Sequence, residues 1–243
     1  MGIGAQIGAA VDLIYPPTCL ACEARVLGRG GLCPGCWRET GFVRGLACRL
    51  CGAPLPGESD RAETCDDCLA TPRPWAEGRA ALVYAGAGRR MVLALKHGDR
   101  LDLAGPCAGL MARAAAPMAL AGAVVAPVPL HWRRHLARRG NQAAALAAPV
   151  ARALGLPLAP DLLRRARATA PLDRVTPAER FAALRGAIDV PQARAARHAG
   201  RPLLLVDDVM TSGATLAACA EAALAAGLGS ARVLTLARAV KDG

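Results

Sequence analysis

The chain has 243 residues, 53% hydrophobic and 20% charged, with 30 Lys and Arg against 19 Asp and Glu. At about 100 to 200 residues per domain, this length holds one full core plus one small module, and the apolar fraction excludes a disordered chain despite 26 Gly and 18 Pro. The longest charge-free stretch, from Ala114 to Leu130, is broken by Pro117, Gly122, Pro127 and Pro129, which excludes membrane insertion.

Met1 to Ile14 lacks a basic region followed by a continuous apolar run, so no export signal is expected and the protein reads as cytoplasmic. Thiols stay reduced there, and clustered cysteines bind metal more often than they form disulfides. The charge is unevenly placed. Residues 1–78 hold 7 Lys/Arg and 9 Asp/Glu, whereas residues 79–243 hold 23 and 10, so the second part carries a net +13. Arg133, Arg134, Arg138 and Arg139 form one cluster and Arg164, Arg165 and Arg167 another. Such clusters suit phosphates of a nucleotide or of a nucleic-acid backbone.

Eight of the 10 cysteines form C-x2-C pairs: Cys19/Cys22, Cys33/Cys36, Cys48/Cys51 and Cys65/Cys68. A C-x2-C turn aims both sulfurs at one point, and two such knuckles make a tetrahedral thiolate site for zinc. Gly35 and Gly52 suit backbone at positive φ. The segment holds too few large apolar residues for a core of its own, so metal is expected to supply stability. Sequential pairing gives two zinc ribbons in a row, and a cross-braced pairing uses the same residues. All-cysteine ligation closes each site, which makes two structural Zn2+ ions. Disulfides or iron–sulfur ligation are the competing uses of these residues. Cys107 and Cys219 stand apart in apolar helical patterns and read as core thiols.

From Arg79 onward short apolar runs alternate with alanine-rich stretches. Strands are expected at Ala80 to Tyr84 and Ala123 to Val128, and helices at Arg89 to Lys96, Pro106 to Ala116 and Gln142 to Leu154. Strands then follow at Leu162 to Arg167, Ala187 to Val190 and Pro202 to Val206, a helix from Thr211 to Ala226, and a strand at Arg232 to Ala237. The alternation predicts an α/β domain at 79–243 with a mostly parallel sheet and helices on both faces, preceded by the Cys-rich module at 1–78. Ligands of such sheets sit at the C-terminal strand ends.

The run from Leu203 to Thr215 is the most informative. An apolar strand ends in Asp207 and Asp208, and then Thr211, Ser212, Gly213, Ala214 and Thr215 open a helix. Backbone N–H groups and the positive end of a helix dipole make that loop a phosphate cradle. Gly213 lets the backbone approach an anion. The two carboxylates would repel a phosphate, so ribose hydroxyls are their natural partners.

These residues resemble the signature of type I phosphoribosyltransferases. With four C-x2-C knuckles ahead of it, the chain resembles the ComF family of double-zinc-ribbon, phosphoribosyltransferase-like, competence-associated proteins. The resemblance extends to Leu95-Lys96-His-Gly98-Asp99, Val-Pro127-Val-Pro129-Leu, Arg138-Arg139-Gly140 with Asn141-Gln142, and Thr169 through Gly186. It implies a type I phosphoribosyltransferase-like sheet that binds phosphoribosyl pyrophosphate with Mg2+ and transfers phosphoribosyl to a nitrogenous acceptor. Asp207 and Asp208 are the implied catalytic pair, Thr211 to Thr215 would take the 5-phosphate, and Pro129, Leu130, Arg134, Arg138 and Arg139 would line the pyrophosphate loop.

The chain departs from the family pattern in three places. An aromatic residue is missing between Gly140 and Asn141, Leu172 replaces glutamine, and Ala183 replaces asparagine. These losses bear on substrate closure rather than phosphate binding. His97, His131 and His135 lie near basic segments and read as surface residues. The alternative function is a non-catalytic accessory factor in DNA uptake that binds single-stranded DNA or a competence helicase, which the basic second domain favours and the 3% aromatic content does not. A third reading is a ligand-sensing relative without turnover.

Overall fold

The computed structural model describes residues 16–97, 100–129, 141–167 and 176–240. Two short helices lie in the cysteine module, α1 at Pro34–Glu39 and α2 at Asp66–Ala70. The α/β part runs β1 (Glu77–Val83), α3 (Gly86–His97), a 3-10 turn (Leu101–Leu103), α4 (Ala104–Ala115), β2 (Val124–Pro127) and α5 (Gln142–Leu154). It continues with β3 (Arg164–Arg165), α6 (Pro177–Leu184), β4 (Ile188–Asp189), α7 (Gln192–Ala196), β5 (Leu203–Met210), α8 (Ala214–Ala225) and β6 (Ala231–Arg238).

The main sheet has the order β1-β6-β5-β2, and each neighbouring pair is parallel. Parallel strands buried on both faces need near-continuous apolar runs, and Leu203, Leu204, Leu205 and Val206 of β5 are fully buried. One face packs Val125, Leu204 and Leu234 against α3, α4 and α5 through Met91, Met111 and Leu146. The other packs Val124, Leu205 and Val233 against α8, whose Leu216, Cys219 and Ala220 are buried, and against the second ribbon. Both sheet edges are covered. Val83 N–H donates to Gly41 O beside β1, and Ala159 N–H donates to Val125 O beside β2.

Local signals place several ends. Asn141 caps α5 by accepting from Ala144 N–H at 3.3 Å, and Gly155 closes that helix at φ 65°. Thr176 and Glu179 form a capping box on α6.

Four expectations are corrected. The strand expected to stop at Val206 runs to Met210, because pairing with β6 continues through Asp207 opposite Thr235 to Met210 opposite Arg238. The helix expected from Thr211 starts at Ala214, because Gly213 adopts φ 81° as its N-cap. The strands expected at Leu162 to Arg167 and Ala187 to Val190 shrink to the antiparallel pair β3–β4, outside the main sheet. Gly35 is not at positive φ, because Pro34 opens α1 immediately after Cys33 and draws Gly35 into it, whereas Gly52 has φ 69°.

The second ribbon is not a free-standing module. Cys48, Cys51, Cys68 and Trp75 belong to the same apolar cluster as the sheet face, whereas Cys19 and Cys36 form a small cluster with Ala87. Two glycines permit the closeness. A Cβ on Gly52 would lie 2.3 Å from Ala80 N, and one on Gly78 would lie 2.2 Å from Leu50 O.

Candidate functional site

The cysteines gather as Cys19, Cys22, Cys33 and Cys36, and as Cys48, Cys51, Cys65 and Cys68, with all sulfurs of a set within 4.8 Å of one another. The pairing is therefore sequential. Cys22 and Cys33 sulfurs are 3.7 Å apart and Cys51 and Cys65 sulfurs 3.6 Å, close to the edge of about 3.8 Å expected for a tetrahedron with Zn–S of about 2.3 Å. Backbone N–H groups face two sulfurs of the first set. Cys33 N–H reaches Cys19 Sγ at 3.3 Å, and Cys36 N–H reaches Cys33 Sγ at 3.5 Å. Burial raises the Cys19 thiol, but the backbone donors of Cys33, Ala21 and Cys22 together bring it down to about 6. Both sets fit structural Zn2+, with no position left for a substrate. Cys107 and Cys219 are fully buried core thiols, each pushed up by burial.

At the C-terminal edge of the sheet, Asp207 and Asp208 lie within β5 rather than beyond it. Successive strand residues point to opposite faces, yet the Asp207 carboxyl turns back toward Asp208, close enough for the two side chains to interact. Asp208 Oδ2 is 3.0 Å from Lys96 Nζ on the last turn of α3. Asp207 Oδ1 accepts from Asp208 N–H at 2.8 Å. Burial, reinforced by the Asp208 charge, pushes the Asp207 carboxyl up to about 8.

The Thr211 to Thr215 loop follows at once. Ser212 Oγ accepts from Ala214 N–H at 3.4 Å, and the first turn of α8 opens without any side-chain cap at Gly213. Free first-turn N–H groups are what an anion uses. Beside this loop, Pro127 pairs with Val206, and Val128 N–H donates to Val206 O at 3.0 Å. Asn141 Nδ2 donates to Val128 O at 3.2 Å, fixing that strand end. Val128 therefore stands level with Asp207 and the chain leaves the sheet at Pro129, while Leu130, Arg134, Arg138, Arg139, His131 and His135 lie outside the described residues.

The second arginine cluster is engaged structurally. Arg164 Nη2 is 2.7 Å from Asp189 Oδ2, and Arg167 Nη2 donates to Ala183 O at 3.1 Å and Arg185 O at 2.7 Å. Those two are occupied in holding the β3–β4 arm and the end of α6. Thr71, Phe181 and Arg185 line an open cleft between the second ribbon and α6.

Three residues join the site that the sequence does not mark as parts of it. Lys96 neutralises Asp208, and its rarity, one of two lysines in an arginine-rich chain, was a usable signal. Arg238 ends the mostly apolar strand β6 and is 3% exposed, a buried charge that needs a partner. Arg73 follows the last cysteine knuckle, and nothing local marks its reach to Ser212 O at 2.7 Å.

Residues 10–69 match the model of the double zinc ribbon domain. The chain is 30% identical over 233 residues to the DNA utilization protein YhgH of Escherichia coli (strain K12), covering 93% of this chain and 99% of that protein. The DNA utilization protein YhgH of Salmonella typhimurium (strain LT2) matches to the same extent, 30% over 233 residues with 93% and 99% covered. With sequentially paired ribbons ahead of a parallel sheet and likeness along nearly the whole length, the chain belongs to the ComF family.

Proposed function

We propose that the protein serves DNA utilisation by binding single-stranded DNA in the cytoplasm, and that the C-terminal sheet edge of its 79–243 domain binds phosphoribosyl pyrophosphate with Mg2+. The observation that carries the DNA role is the likeness to proteins named for DNA utilization, over 93% of this chain. The net +13 on residues 79–243 supports it, since Lys and Arg contacts to phosphates supply most non-specific nucleic-acid affinity. Titrating a single-stranded oligonucleotide over a salt series tests this. Log affinity should fall linearly with log salt, and absence of binding at low salt overturns the DNA role.

The ligand reading rests on residues of the sheet edge. The Gly213 loop suits the 5-phosphate, Asp207 and Asp208 suit ribose hydroxyls, and Pro129, Leu130, Arg134, Arg138 and Arg139 suit the pyrophosphate. Oxygen donors, one of them held up by burial and by its neighbour's charge, suit a hard divalent cation. Mg2+, when bound, neutralises the pyrophosphate leaving group.

A second reading, phosphoribosyl transfer to a nitrogenous acceptor, is favoured by the carboxylate pair directly preceding the phosphate loop. It requires pyrophosphate release with an added base. Salt-dependent DNA binding without such release keeps the protein an accessory factor.

A further inference from the structure

Three consecutive carbonyls at the end of β5 are held from one side by two arginines. Arg238 Nη1 donates to Thr211 O at 2.8 Å and shares Met210 O, at 3.3 Å, with the Ala239 N–H at 2.9 Å, and Arg73 Nη1 donates to Ser212 O at 2.7 Å. In a planar trans peptide the C=O and the following N–H point in opposite directions. Holding these carbonyls therefore aims the N–H groups of Thr211, Ser212 and Gly213 away from the arginines. The orientation of the loop donors is thus set from behind, by residues that touch no ligand.

Both arginines are anchored in the second ribbon. Arg73 Nε donates to Cys68 Sγ at 3.4 Å. Arg238 Nη2 reaches Asp67 Oδ2 at 3.5 Å, inside the Cys65–Cys68 knuckle. The Arg73 guanidinium carbon lies 5.6 Å from the Trp75 ring centre and 5.8 Å from that of Phe181. Trp75 Nε1 in turn donates to Leu50 O at 2.6 Å, within the Cys48–Cys51 knuckle. Gly213 completes the contact, since a Cβ there would stand 3.1 Å from Arg73 Nη1. The first ribbon reaches a different element. Its Cys36 Sγ accepts from Arg90 Nη2 on α3 at 3.4 Å, and Glu39 pairs with the same nitrogen at 2.6 Å.

We infer that the second zinc site, and not the first, sets the Thr211 to Thr215 loop, with Arg73 and Arg238 as the positioning residues that carry the constraint. This rests on the reading of that loop as a phosphate cradle. The helix between Cys65 and Arg73 has 5 residues and is too short to hold itself. Without metal at Cys48, Cys51, Cys65 and Cys68, the anchors at Cys68 and Asp67 lose their fixed places, and the carbonyls they restrain are released. Zinc occupancy of one ribbon, or oxidation of its thiols, thereby gates ligand binding at the sheet edge. By linkage, ligand bound at the loop must tighten zinc in the second site by the same factor.

Hydrogen exchange on the full chain, with no ligand added, reads the loop directly. Arg73→Ala should keep both zinc ions, while exchange of the Ala214 and Ala217 amides, which donate to Ser212 Oγ and Gly213 O of the loop, accelerates about ten-fold or more, the factor expected for losing one charge-assisted hydrogen bond. Arg73→Lys should restore most of the protection. Cys22→Ser, which opens the first site, should leave the loop at the native rate. Asp67→Asn, at a surface position, should loosen the loop several-fold and provides the same test if Arg73→Ala does not fold. Unchanged loop exchange in the folded Arg73 or Asp67 variant overturns the inference, as does equal acceleration by Cys22→Ser. Because no ligand enters this measurement, failure of the chain to bind phosphoribosyl pyrophosphate would remove the cradle reading while leaving the exchange result to stand by itself.

Discussion

Lys96 Nζ and Asp208 Oδ2 form an ion pair of 3.0 Å across the C-terminal edge of the sheet, joining the last turn of α3 to the C-terminal part of β5. Their side chains are 23% and 12% exposed, so the pair is largely out of water and either charge alone would lack compensation. Lys96→Met should destabilise the protein by about 1 to 3 kcal/mol, and adding Asp208→Asn should recover part of that loss. Urea unfolding of the two single variants and the double variant measures the coupling. Additive effects would mean that the two charges do not sense each other.

The Asp207 carboxyl gives the fold a pH dependence of definite sign. Burial first, and the Asp208 charge second, raise it from 3.8 to about 8. An acid with a raised value in the folded state stabilises that state while protonated. The contribution is full below about pH 4 and is lost as the pH rises to about 8. Asp207→Asn cannot ionise. Relative to the native protein, the variant should therefore gain stability steadily between about pH 5 and 8 and hold that gain above. A difference in urea midpoint that does not change with pH would show that Asp207 is already ionised in the folded protein.

Gly213 is the residue on which the loop depends most. Its φ of 81° disfavours any side chain, and a Cβ would stand 3.3 Å from Trp75. Gly213→Val should cost about 1 to 3 kcal/mol in stability and abolish phosphoribosyl pyrophosphate binding. Ser212→Ala and Thr215→Ala each remove one hydroxyl and should cost about 1 kcal/mol in affinity. Calorimetric titration of variants shown to be folded by circular dichroism compares them. Equal losses would place recognition on the hydroxyls instead of the backbone.

Metal should leave the two ribbons in order. Cys22 of the first site is exposed and its buried Cys19 and Cys36 cluster only with Ala87 among buried residues, whereas buried Cys48, Cys51 and Cys68 of the second share the sheet's apolar cluster. A chelator with a metallochromic dye should release two equivalents in two phases, the first without loss of the α/β fold and the second with it. A single phase, or one equivalent in total, contradicts two independent sites of unequal burial.

Local chemistry carried much of this structure in the sequence. The four C-x2-C turns, the apolar run at Leu203 to Val206 and the glycine at a strand-to-helix junction each identify themselves within a few residues. What the sequence left out depends on long-range partners. The apolar run stops at Val206, yet β6 keeps pairing with β5 as far as Met210, so Asp207 and Asp208 are strand residues. Arg73 and Ser212 are 139 residues apart, and no periodicity connects them. Gly52 reads only as a turn glycine and Gly78 carries no signal at all, but both are places where the second ribbon's backbone lies against β1. A scarcity of apolar side chains suggested that metal alone stabilises the cysteine module. For the second ribbon, burial against the sheet adds to it.

The most direct measurement for the sheet-edge site is a calorimetric titration of the native chain with phosphoribosyl pyrophosphate and Mg2+, repeated with Gly213→Val. Saturable binding at one site per chain is expected, requiring Mg2+ and disappearing in the variant. Absence of binding heat in the zinc-loaded native protein, or an undiminished affinity in the folded variant, would contradict that expectation.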